Sequence, residues 1–461
     1  MKVPRQVDGA LDAGLVRIRE EFGVPSGFRP EAALAAVEAA ARRPGPEHVD
    51  RTARPFVTLD PAGSTDLDQA LALERAGDDI VLHYAIADVG FFIHAGDSLD
   101  REAWERGVTV YMPDERARLY PAALSEGAAS LLPDGPRPAV VFTVRVDPDG
   151  DVALDGVERA VVHSRAKLAY ETVQREDLPP ELDDLSARMR QAEERRNAPR
   201  VEFPEQQLER VDGRWMLRFE PRRESEDLNA GLSLATNLAV ADALVSAGTG
   251  LFRVMADPDD WAIRRLRHTA TAFGLDWAAD QSLADFQRSL RTDDPRSAAF
   301  LIAVRRAGGG ASYEAFAPGV TPWHSAMAAT YAHATAPLRR LADRYVVEAA
   351  LSIANGEPVA PDVEVAFAEL PAAMAKAESR ARGVDAAVLD LAEAALLAGR
   401  EQEVFDAVVL DEDRRGTMIQ LVDPAVLARV QAHRVDPGDE IRVQLHAVDL
   451  TARRIELSRV G

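Results

Sequence analysis

The 461-residue sequence contains no cysteine, which excludes disulfide bonds, thiolate zinc sites and cysteine nucleophiles. It also lacks the GxxxxGK[ST] motif of phosphate-binding loops and the HExxH motif of zinc proteases. The first residues, Met1–Glu21, have no continuous apolar core, and we expect neither a signal peptide nor a segment that spans a bilayer. These absences predict a cytoplasmic protein that does not enter membranes, and we expect it to act as a monomer.

Lysine is scarce as well. Only Lys2, Lys167 and Lys376 are lysine among 54 cationic residues, and the formal net charge is −22. This charge excludes a broad basic surface, because nonspecific affinity for phosphates comes from cationic side chains. It does not exclude a tunnel lined by arginine inside an acidic shell, where positive potential is concentrated at the point of strand entry.

Hydrophobic patterning divides the chain into three predicted domains: a helical region at 1–50, a mixed α and β region at 51–399, and a small barrel at 400–461. The helical region forms a packing hairpin or a helix-turn-helix. In the middle region, short strand-like runs between 56 and 146 precede helices predicted at 164–200, 229–246 and 363–399. The last sixty residues contain five strand-like runs, which is typical of an OB-type barrel. The predicted class is α+β.

Three aspartates lie close together between two of the strand-like runs. Asp60 ends the first run, a turn with Pro, Gly and Ser follows, and Asp66 and Asp68 precede the second run. Residues two apart in an extended backbone project to the same face, so Asp66 and Asp68 should lie side by side. Neighbouring carboxylates repel one another unless a cation joins them, and Mg²⁺ takes oxygen ligands that it shares with substrate phosphates. We therefore predict a magnesium site.

The aspartates have two other possible interpretations. A calcium-binding loop fails on its pattern, because Ala70 and Leu71 stand where a third oxygen ligand and the turn glycine should be. An ordinary solvated turn stays open as an alternative, since aspartate favours turns in any protein.

Further motifs follow the aspartates in a fixed order. They are Ala85–Val89 (AIADV), Arg106–Asp114 (RGVTVYMPD), Ser164–Glu171 (SRAKLAYE), Glu220–Arg223 (EPRR), Asn237, and Tyr331–Asp343 (YAHATAPLRRLAD). This series, over about residues 54–351, resembles the ribonuclease II (RNB) family of 3′-to-5′ exoribonucleases. The C-terminal segment resembles the S1-type OB domain of the same family. A colinear series is far more specific than any one short motif.

The resemblance implies roles for individual side chains. Asp60, Asp66 and Asp68, with Gln69 as a further ligand, would hold Mg²⁺ and the attacking water at the scissile phosphate. Arg339 would stabilise the charge that develops on that phosphate, or could instead pair with Asp343 as a structural residue. Tyr170 would contact the terminal nucleotide and belong to the catalytic set, although it and Tyr111 could also be ordinary core aromatics. The RNA-binding side chains would be Tyr111, Phe203, Tyr170, Arg222 and Arg340.

The sequence departs from the family pattern in several places. The family has a fourth aspartate where this chain has Gln69, and a glutamate where this chain has Ala230 and Gly231. The family also often carries two cold-shock barrels before the catalytic domain, and a helical region of about 50 residues cannot hold them. The S1-like tail has one aromatic residue, Phe405, and so offers little surface for base stacking.

The resemblance predicts a magnesium-dependent, processive exoribonuclease that shortens single-stranded RNA from its 3′ end and releases nucleoside 5′-monophosphates. Stacking on aromatic rings would bind RNA without sequence preference, because every base has a π-face. The alternative is a catalytically weakened RNA-binding protein of the same fold, since Gln69 replaces an expected aspartate. A metal phosphohydrolase for small nucleotides is the third possibility.

Overall fold

A computed structural model describes the chain except for residues 2, 200–204, 212, 221–222, 291–294, 308–309, 414–415, 425, 433–434, 436–437 and 461. The described helices begin in the N-terminal region and alternate with strands thereafter. They are α1 (Asp8–Glu21), α2 (Pro30–Ala40), α3 (Val89–Phe92), α4 (Ser98–Arg106), α5 (Leu182–Arg195), α6 (Glu224–Ala247), α7 (Asp260–Ala272), α8 (Leu283–Ser289), α9 (Pro295–Ala307), α10 (Leu341–Ala354) and α11 (Pro361–Leu397).

The strands fall into one large sheet, several two-stranded ribbons and a closed barrel. In chain order they are β1 (Val49–Asp50), β2 (Phe56–Asp60), β3 (Gln69–Ala76), β4 (Asp79–Ala87), β5 (Val110–Tyr111), β6 (Arg116–Ala117), β7 (Arg137–Val146), β8 (Val152–Val162), β9 (Ser164–Ala169), β10 (Glu205–Val211), β11 (Arg214–Glu220), β12 (Leu251–Val254), β13 (Ser312–Ala315), β14 (Trp323–His324), β15 (Ala329–Thr330), β16 (Val404–Asp413), β17 (Gly416–Leu421), β18 (Leu427–Gln431), β19 (Glu440–Asp449) and β20 (Arg454–Arg459).

The large sheet has the strand order β1-β8-β7-β4-β3-β2-β9. Its centre is antiparallel, and every residue of β4 except its first is buried, which explains the continuous apolar run there. At one edge β2 pairs in parallel with β9, so that Asp60 lies opposite Ala169. The sheet therefore places the first aspartate beside the residue that precedes Tyr170.

The pairing of β2 with β9 overturns one expectation, the helix over 164–200. Ser164–Ala169 is the strand β9, and the helix α5 starts only at Leu182. The predicted helix was wrong at its N-terminal end because the strand partner, β2, lies about a hundred residues earlier in the chain. The periodicity of a short stretch of sequence carries no information about so distant a partner. Strand pairing in the folded protein overrides the local preference.

The helix α6 packs against the large sheet and carries a run of buried apolar side chains. By length and composition it is long and apolar enough to cross a membrane, contrary to the expectation from sequence. Buried core helices pass the same test, and 56% of its most apolar window is buried inside the protein. The helix therefore gives only weak support for membrane association.

The C-terminal strands close into a barrel of order β16-β17-β18-β20-β19, which confirms the predicted five-stranded OB-type fold. Its apolar interior is continuous with the end of α11 and with one face of α1, where Leu11, Leu15 and Ile18 are buried. The N-terminal helix also forms ion pairs on both sides, from Arg19 to Asp114 near β5 and from Arg453 of the barrel to Glu21. These contacts join the helical region to both other parts. The division at 50 and 399 stays a prediction.

Candidate active site

The acidic segment between β2 and β3 is fixed by buried contacts. The Ser130 hydroxyl donates to the Thr65 carbonyl at 2.7 Å and accepts from the Leu67 amide at 2.9 Å. Leu67 is fully buried in the core. Asp66 beside it is only partly buried, whereas Asp68 is buried like Leu67.

Asp68 is the most buried of the three aspartates, at 4% exposure. Its Oδ1 accepts from the Leu338 amide at 2.7 Å, and its Oδ2 accepts from Nε of Arg339 at 3.1 Å. Burial raises the pKa of Asp68 to about 7, while Arg339 and the Leu338 amide act in the opposite direction. The fold thus brings together a carboxylate and a guanidinium that the sequence separates by 271 positions.

Arg339 keeps much of its donor capacity for a ligand. Its side chain is 45% exposed, and within the described part of the chain only Nε forms a hydrogen bond. The neighbouring Arg340 instead pairs with Asp343, through Nε to Oδ1 at 2.9 Å and Nη2 to Oδ2 at 2.6 Å. The structural pairing with Asp343 is therefore made by Arg340, whose predicted contact with RNA stays a prediction.

Asp66 lies against a short ribbon formed by β5 and β6. Its Oδ1 accepts from Nη1 of Arg116 at 3.1 Å, and its Oδ2 accepts from the Tyr111 hydroxyl at 3.2 Å. The Arg116 guanidinium also lies 5.7 Å from the centre of the Tyr111 ring. Tyr111 is 45% exposed, so its ring faces solvent beside the carboxylates.

Asp60 differs from the other two aspartates because its carboxylate oxygens accept no hydrogen bond from any described residue, although its carbonyl accepts from the Tyr170 amide at 3.1 Å. Burial raises the pKa of Asp60 to about 6; Arg339 and Lys167 lower it, and Asp66 raises it. Across the described residues, no three His, Cys, Asp or Glu side chains converge closely enough to hold a metal ion. The donor set nevertheless fits a hard cation, since it consists of carboxylate oxygens and Asp60 is left without a partner.

Gln69, at the start of β3, uses both ends of its amide within the protein. Its Nε2 donates to the Thr335 carbonyl at 2.6 Å, and its Oε1 accepts from the hydroxyls of Tyr84 and, at 3.5 Å, Ser233. The Tyr84 and Ser233 hydroxyls lie 3.0 Å apart. Burial raises the pKa of Tyr84, which keeps its hydroxyl protonated.

Tyr170 follows β9 directly and stands beside the end of β2. Its hydroxyl accepts from Nδ2 of Asn229 at 2.7 Å, and its carbonyl accepts from the Ser225 hydroxyl at 2.9 Å. Both partners lie in the first turns of α6, which fixes the ring against the core. Burial, followed by the charge of Asp60, raises the pKa of Tyr170. The charge of Asp60 thus acts on the Tyr170 hydroxyl, and the contact of the ring with the terminal nucleotide stays a prediction.

Two of the predicted RNA-binding residues, Phe203 and Arg222, lie outside the described residues. Sequence reasoning missed Arg116, Tyr84 and Ser233. Arg116 carries a weak signal, because it follows the turn at Met112 and Pro113 that makes a ribbon with Tyr111. The other two have no local signal, since each reaches Gln69 only through the folded packing of β4 and α6.

The family glutamate is replaced by Ala230 and Gly231, and both residues line a cavity of about 910 Å³ beside α6. A Cβ atom added at Gly231 would meet nothing within 4 Å, so the glycine is not required by packing. None of the three aspartates lines this cavity. This cavity therefore does not include the acidic segment.

Comparison with known proteins places the chain in a family. It matches the RNB domain over residues 49–352 and the RNase II-type exonuclease C-terminal S1 domain over residues 403–460. The chain therefore belongs to the RNB domain family. Exoribonuclease 2 of Cronobacter sakazakii is 29% identical over 414 residues, which cover 83% of this chain and 62% of the relative. The chain spans less than two thirds of the length of the curated relatives that it matches first.

Solved structures confirm the fold. RNase R of Mycoplasma genitalium in complex with ribose-methylated single-stranded RNA has a TM-score of 0.87 at 17% identity, covering 98% of this chain and 78% of that one. Yeast Ssd1, described as a pseudonuclease, has a TM-score of 0.70 at 18% identity, covering 95% of this chain and 58% of that one. The mixed α/β architecture is thus shared by a protein named RNase R and by one described as a pseudonuclease.

Proposed function

We propose that this protein is a magnesium-dependent exoribonuclease that shortens single-stranded RNA from its 3′ end and releases nucleoside 5′-monophosphates processively. The observation that carries the proposal is the contact between Asp68 and Arg339, beside Asp60, within an RNB fold. A carboxylate that can accept a proton, in contact with a guanidinium that has free donors, suits phosphodiester hydrolysis. The relatives named exoribonucleases support the reaction class.

Arg339 would bind the scissile phosphate. Its Nε is fixed by Asp68, and this contact leaves the two terminal nitrogens of the partly exposed side chain to donate to a ligand. A guanidinium held in this way donates to phosphate oxygens with fixed geometry and stabilises the negative charge of the transition state.

Asp60 and Asp66 would hold the metal ion, with Asp60 as the anchor because its carboxylate oxygens accept no hydrogen bond within the described chain. When bound, Mg²⁺ supplies a Lewis acid at the phosphate and makes the attacking water more acidic. Asp68, whose pKa is raised by burial to about 7, would accept a proton from that water at Oδ2. A base with a pKa near the working pH is efficient in this role.

The path to the site would be lined by Tyr111 and Tyr170. Tyr111 is exposed and stands at Asp66, while Tyr170 lies beside the end of β2. Stacking of bases on such rings is worth about 1–3 kcal/mol per base and tolerates any sequence. The RNase R that shares the fold is bound to single-stranded RNA in its own structure, which supports RNA as the ligand here.

A labelled substrate tests the proposal. Single-stranded RNA carrying a 5′ label is incubated with the protein in Mg²⁺, and a parallel reaction contains EDTA. We expect a series of products that shorten from the 3′ end in Mg²⁺ only, together with free nucleoside 5′-monophosphates. Binding of RNA without any shortening would overturn the proposal and favour the RNA-binding alternative.

A further inference from the structure

Gln69 occupies the position of a family aspartate, but its contacts point away from metal binding. The amide oxygen of Gln69 has two lone pairs, and the hydroxyls of Tyr84 and Ser233 lie within hydrogen-bond distance of it. The amide nitrogen donates to the Thr335 carbonyl at 2.6 Å and cannot bind a cation. A metal ion at this side chain would have to displace a hydroxyl.

The carbonyl that Gln69 holds belongs to residues 332–340, which we call the arginine loop because it carries Arg339. Besides the Thr109 amide, which donates to the Arg339 carbonyl at 3.0 Å, side chains from other parts of the chain anchor this loop. The Ala334 amide donates to Asn237 at 3.0 Å, the Ala336 amide to Asp343 at 2.8 Å and the Leu338 amide to Asp68 at 2.7 Å. The bond from Gln69 to Thr335 is the member of this series that holds a carbonyl rather than an amide.

The chemistry of the anchor explains why an amide stands there. The Thr335 carbonyl needs a donor, and the Tyr84 hydroxyl needs an acceptor. A carboxylate can satisfy the hydroxyl but offers no donor to the carbonyl when it is ionised. Two facing acceptors in a buried place are costly, because the Thr335 carbonyl would lose its partner. Tyr84 is fully buried and Thr335 is 2% exposed, so water would not readily take over the lost contact.

We propose that Gln69 is not a metal ligand but a positioning residue, which fixes the arginine loop so that Arg339 meets Asp68 at the scissile phosphate. The inference rests on the proposed function for the identity of that phosphate. Tyr84 and Ser233 take part by holding the amide in the orientation that presents Nε2 to the loop. The neutral triad of Gln69, Tyr84 and Ser233 stands where the family has an acid, and the metal is left to Asp60 and Asp66.

The test compares Gln69→Glu with Gln174→Glu. Gln174 is an exposed glutamine whose amide also donates to a backbone carbonyl, that of Thr172 at 2.9 Å, so it controls for the change of charge and shape. We expect Gln69→Glu to lower kcat on RNA on the order of tenfold, as for a buried hydrogen bond lost beside a positioned catalytic group. RNA affinity and the half-maximal Mg²⁺ concentration should stay unchanged. Gln174→Glu should match the wild type.

Amide hydrogen exchange gives a readout that does not depend on RNA hydrolysis. In the protein without RNA or metal, Gln69→Glu should accelerate exchange roughly tenfold at the amides of the arginine loop, and Gln174→Glu should not. If this acceleration appears in a protein that degrades no RNA, the positioning role stands and the proposed function fails. If exchange is unchanged while Gln69→Glu lowers the half-maximal Mg²⁺ concentration, Gln69 is a metal ligand and the inference is overturned.

A second variant covers the case in which Gln69→Glu does not fold. Tyr84→Phe removes a hydroxyl from the amide oxygen and leaves the bond to Thr335 in place. The positioning role predicts a small acceleration of exchange in the arginine loop and no change in the half-maximal Mg²⁺ concentration. A metal-ligand role predicts a lower half-maximal Mg²⁺ concentration, because the freed lone pair would bind Mg²⁺ more readily.

Discussion

The segment from Asp60 to Gln69 contains three aspartates and ends in a glutamine, and the carboxylates and the glutamine amide are held in different ways. The Asp60 carboxylate accepts no hydrogen bond from any described residue, and Asp68 is bonded to Arg339, whose terminal nitrogens form none among the described residues. Gln69 has its donor and its acceptor satisfied by buried groups. The Asp60 carboxylate and the Arg339 bonded to Asp68 can still bind a ligand, whereas the hydrogen-bonding groups of the Gln69 amide are satisfied within the fold. The side chains that are left partly unsatisfied are thus the ones we assign to chemistry.

The largest effect is expected among the carboxylates, for Asp68→Asn. The amide keeps the shape but loses the charge that fixes Arg339 and the basicity that accepts a proton. We expect kcat to fall on the order of 10³- to 10⁴-fold, as for the loss of a central catalytic group, with RNA affinity within a few-fold of the wild type. Single-turnover hydrolysis and a filter-binding titration measure the two quantities. A variant that hydrolyses RNA at the wild-type rate would remove Asp68 from the mechanism.

Arg339→Lys tests whether the guanidinium fork matters beyond its charge. Lysine keeps the positive charge but loses the Nε contact to Asp68 and the paired terminal donors. We expect a decrease in kcat of about 10²- to 10³-fold, the scale for removal of one donor to a developing oxyanion. Arg400→Lys, which changes an arginine paired with Glu403 near the barrel, is the matched control. If both variants behave alike, a point charge suffices at position 339.

Tyr111→Ala addresses RNA binding beside the carboxylates. Loss of an exposed stacking ring should weaken affinity for single-stranded RNA by about 1–3 kcal/mol, measured by fluorescence anisotropy. Tyr111→Phe keeps the ring and loses only the bond to Asp66, so its affinity should stay near that of the wild type. Equal weakening in the two variants would show that the hydroxyl, and not the ring, is what RNA binding needs.

The smallest effect concerns metal binding and pH. Burial raises the pKa of Asp60 to about 6 and that of Asp68 to about 7, from 3.8. Both carboxyls are therefore easier to keep protonated in the folded protein than in the unfolded one. Without metal, their contribution to stability is most favourable below about pH 4 and is lost as the pH rises through 6 and 7.

Added Mg²⁺ favours the ionised carboxylates, so its stabilising effect should grow between pH 5 and pH 8. At about ten times its dissociation constant, the ion should raise Tm by roughly 1–2 °C at pH 8 and by less at pH 5. Scanning calorimetry measures the shift, and Asp60→Asn should abolish it. A shift that is equal at both pH values, or that survives in Asp60→Asn, would contradict the assignment of Asp60 as the anchor.

Local patterns in the sequence predicted the parts of the site that lie near one another in the chain. The residues Pro, Gly and Ser predict the turn after β2, and the period of the last sixty residues predicts the barrel strands. That Asp66 and Asp68 share one face stays a prediction. The arginine at 339 came from the resemblance alone, because no local rule relates it to Asp68. The strand Ser164–Ala169 was missed because its identity depends on a partner far along the chain.

The role of Gln69 shows the same limit at a single residue. The resemblance suggests a fourth metal ligand, since the family has an aspartate at this position, directly after the third. Its actual partners are Tyr84 on the next strand, Ser233 on α6 and the carbonyl of Thr335. Side chains from such distant positions meet only after the sheet and α6 have packed. Neighbours in sequence therefore indicate what a residue could do, and its partners in space decide it.

The most direct test of the exonuclease assignment uses one single-stranded RNA in two forms, linear with a free 3′ end and circular. Both are incubated in one tube with the protein and Mg²⁺, and the products are separated by size. The account predicts that the linear RNA is converted to nucleoside 5′-monophosphates while the circle stays intact. Cleavage of the circle would show an endonuclease, and survival of both forms would show that the Asp68–Arg339 site does not hydrolyse RNA.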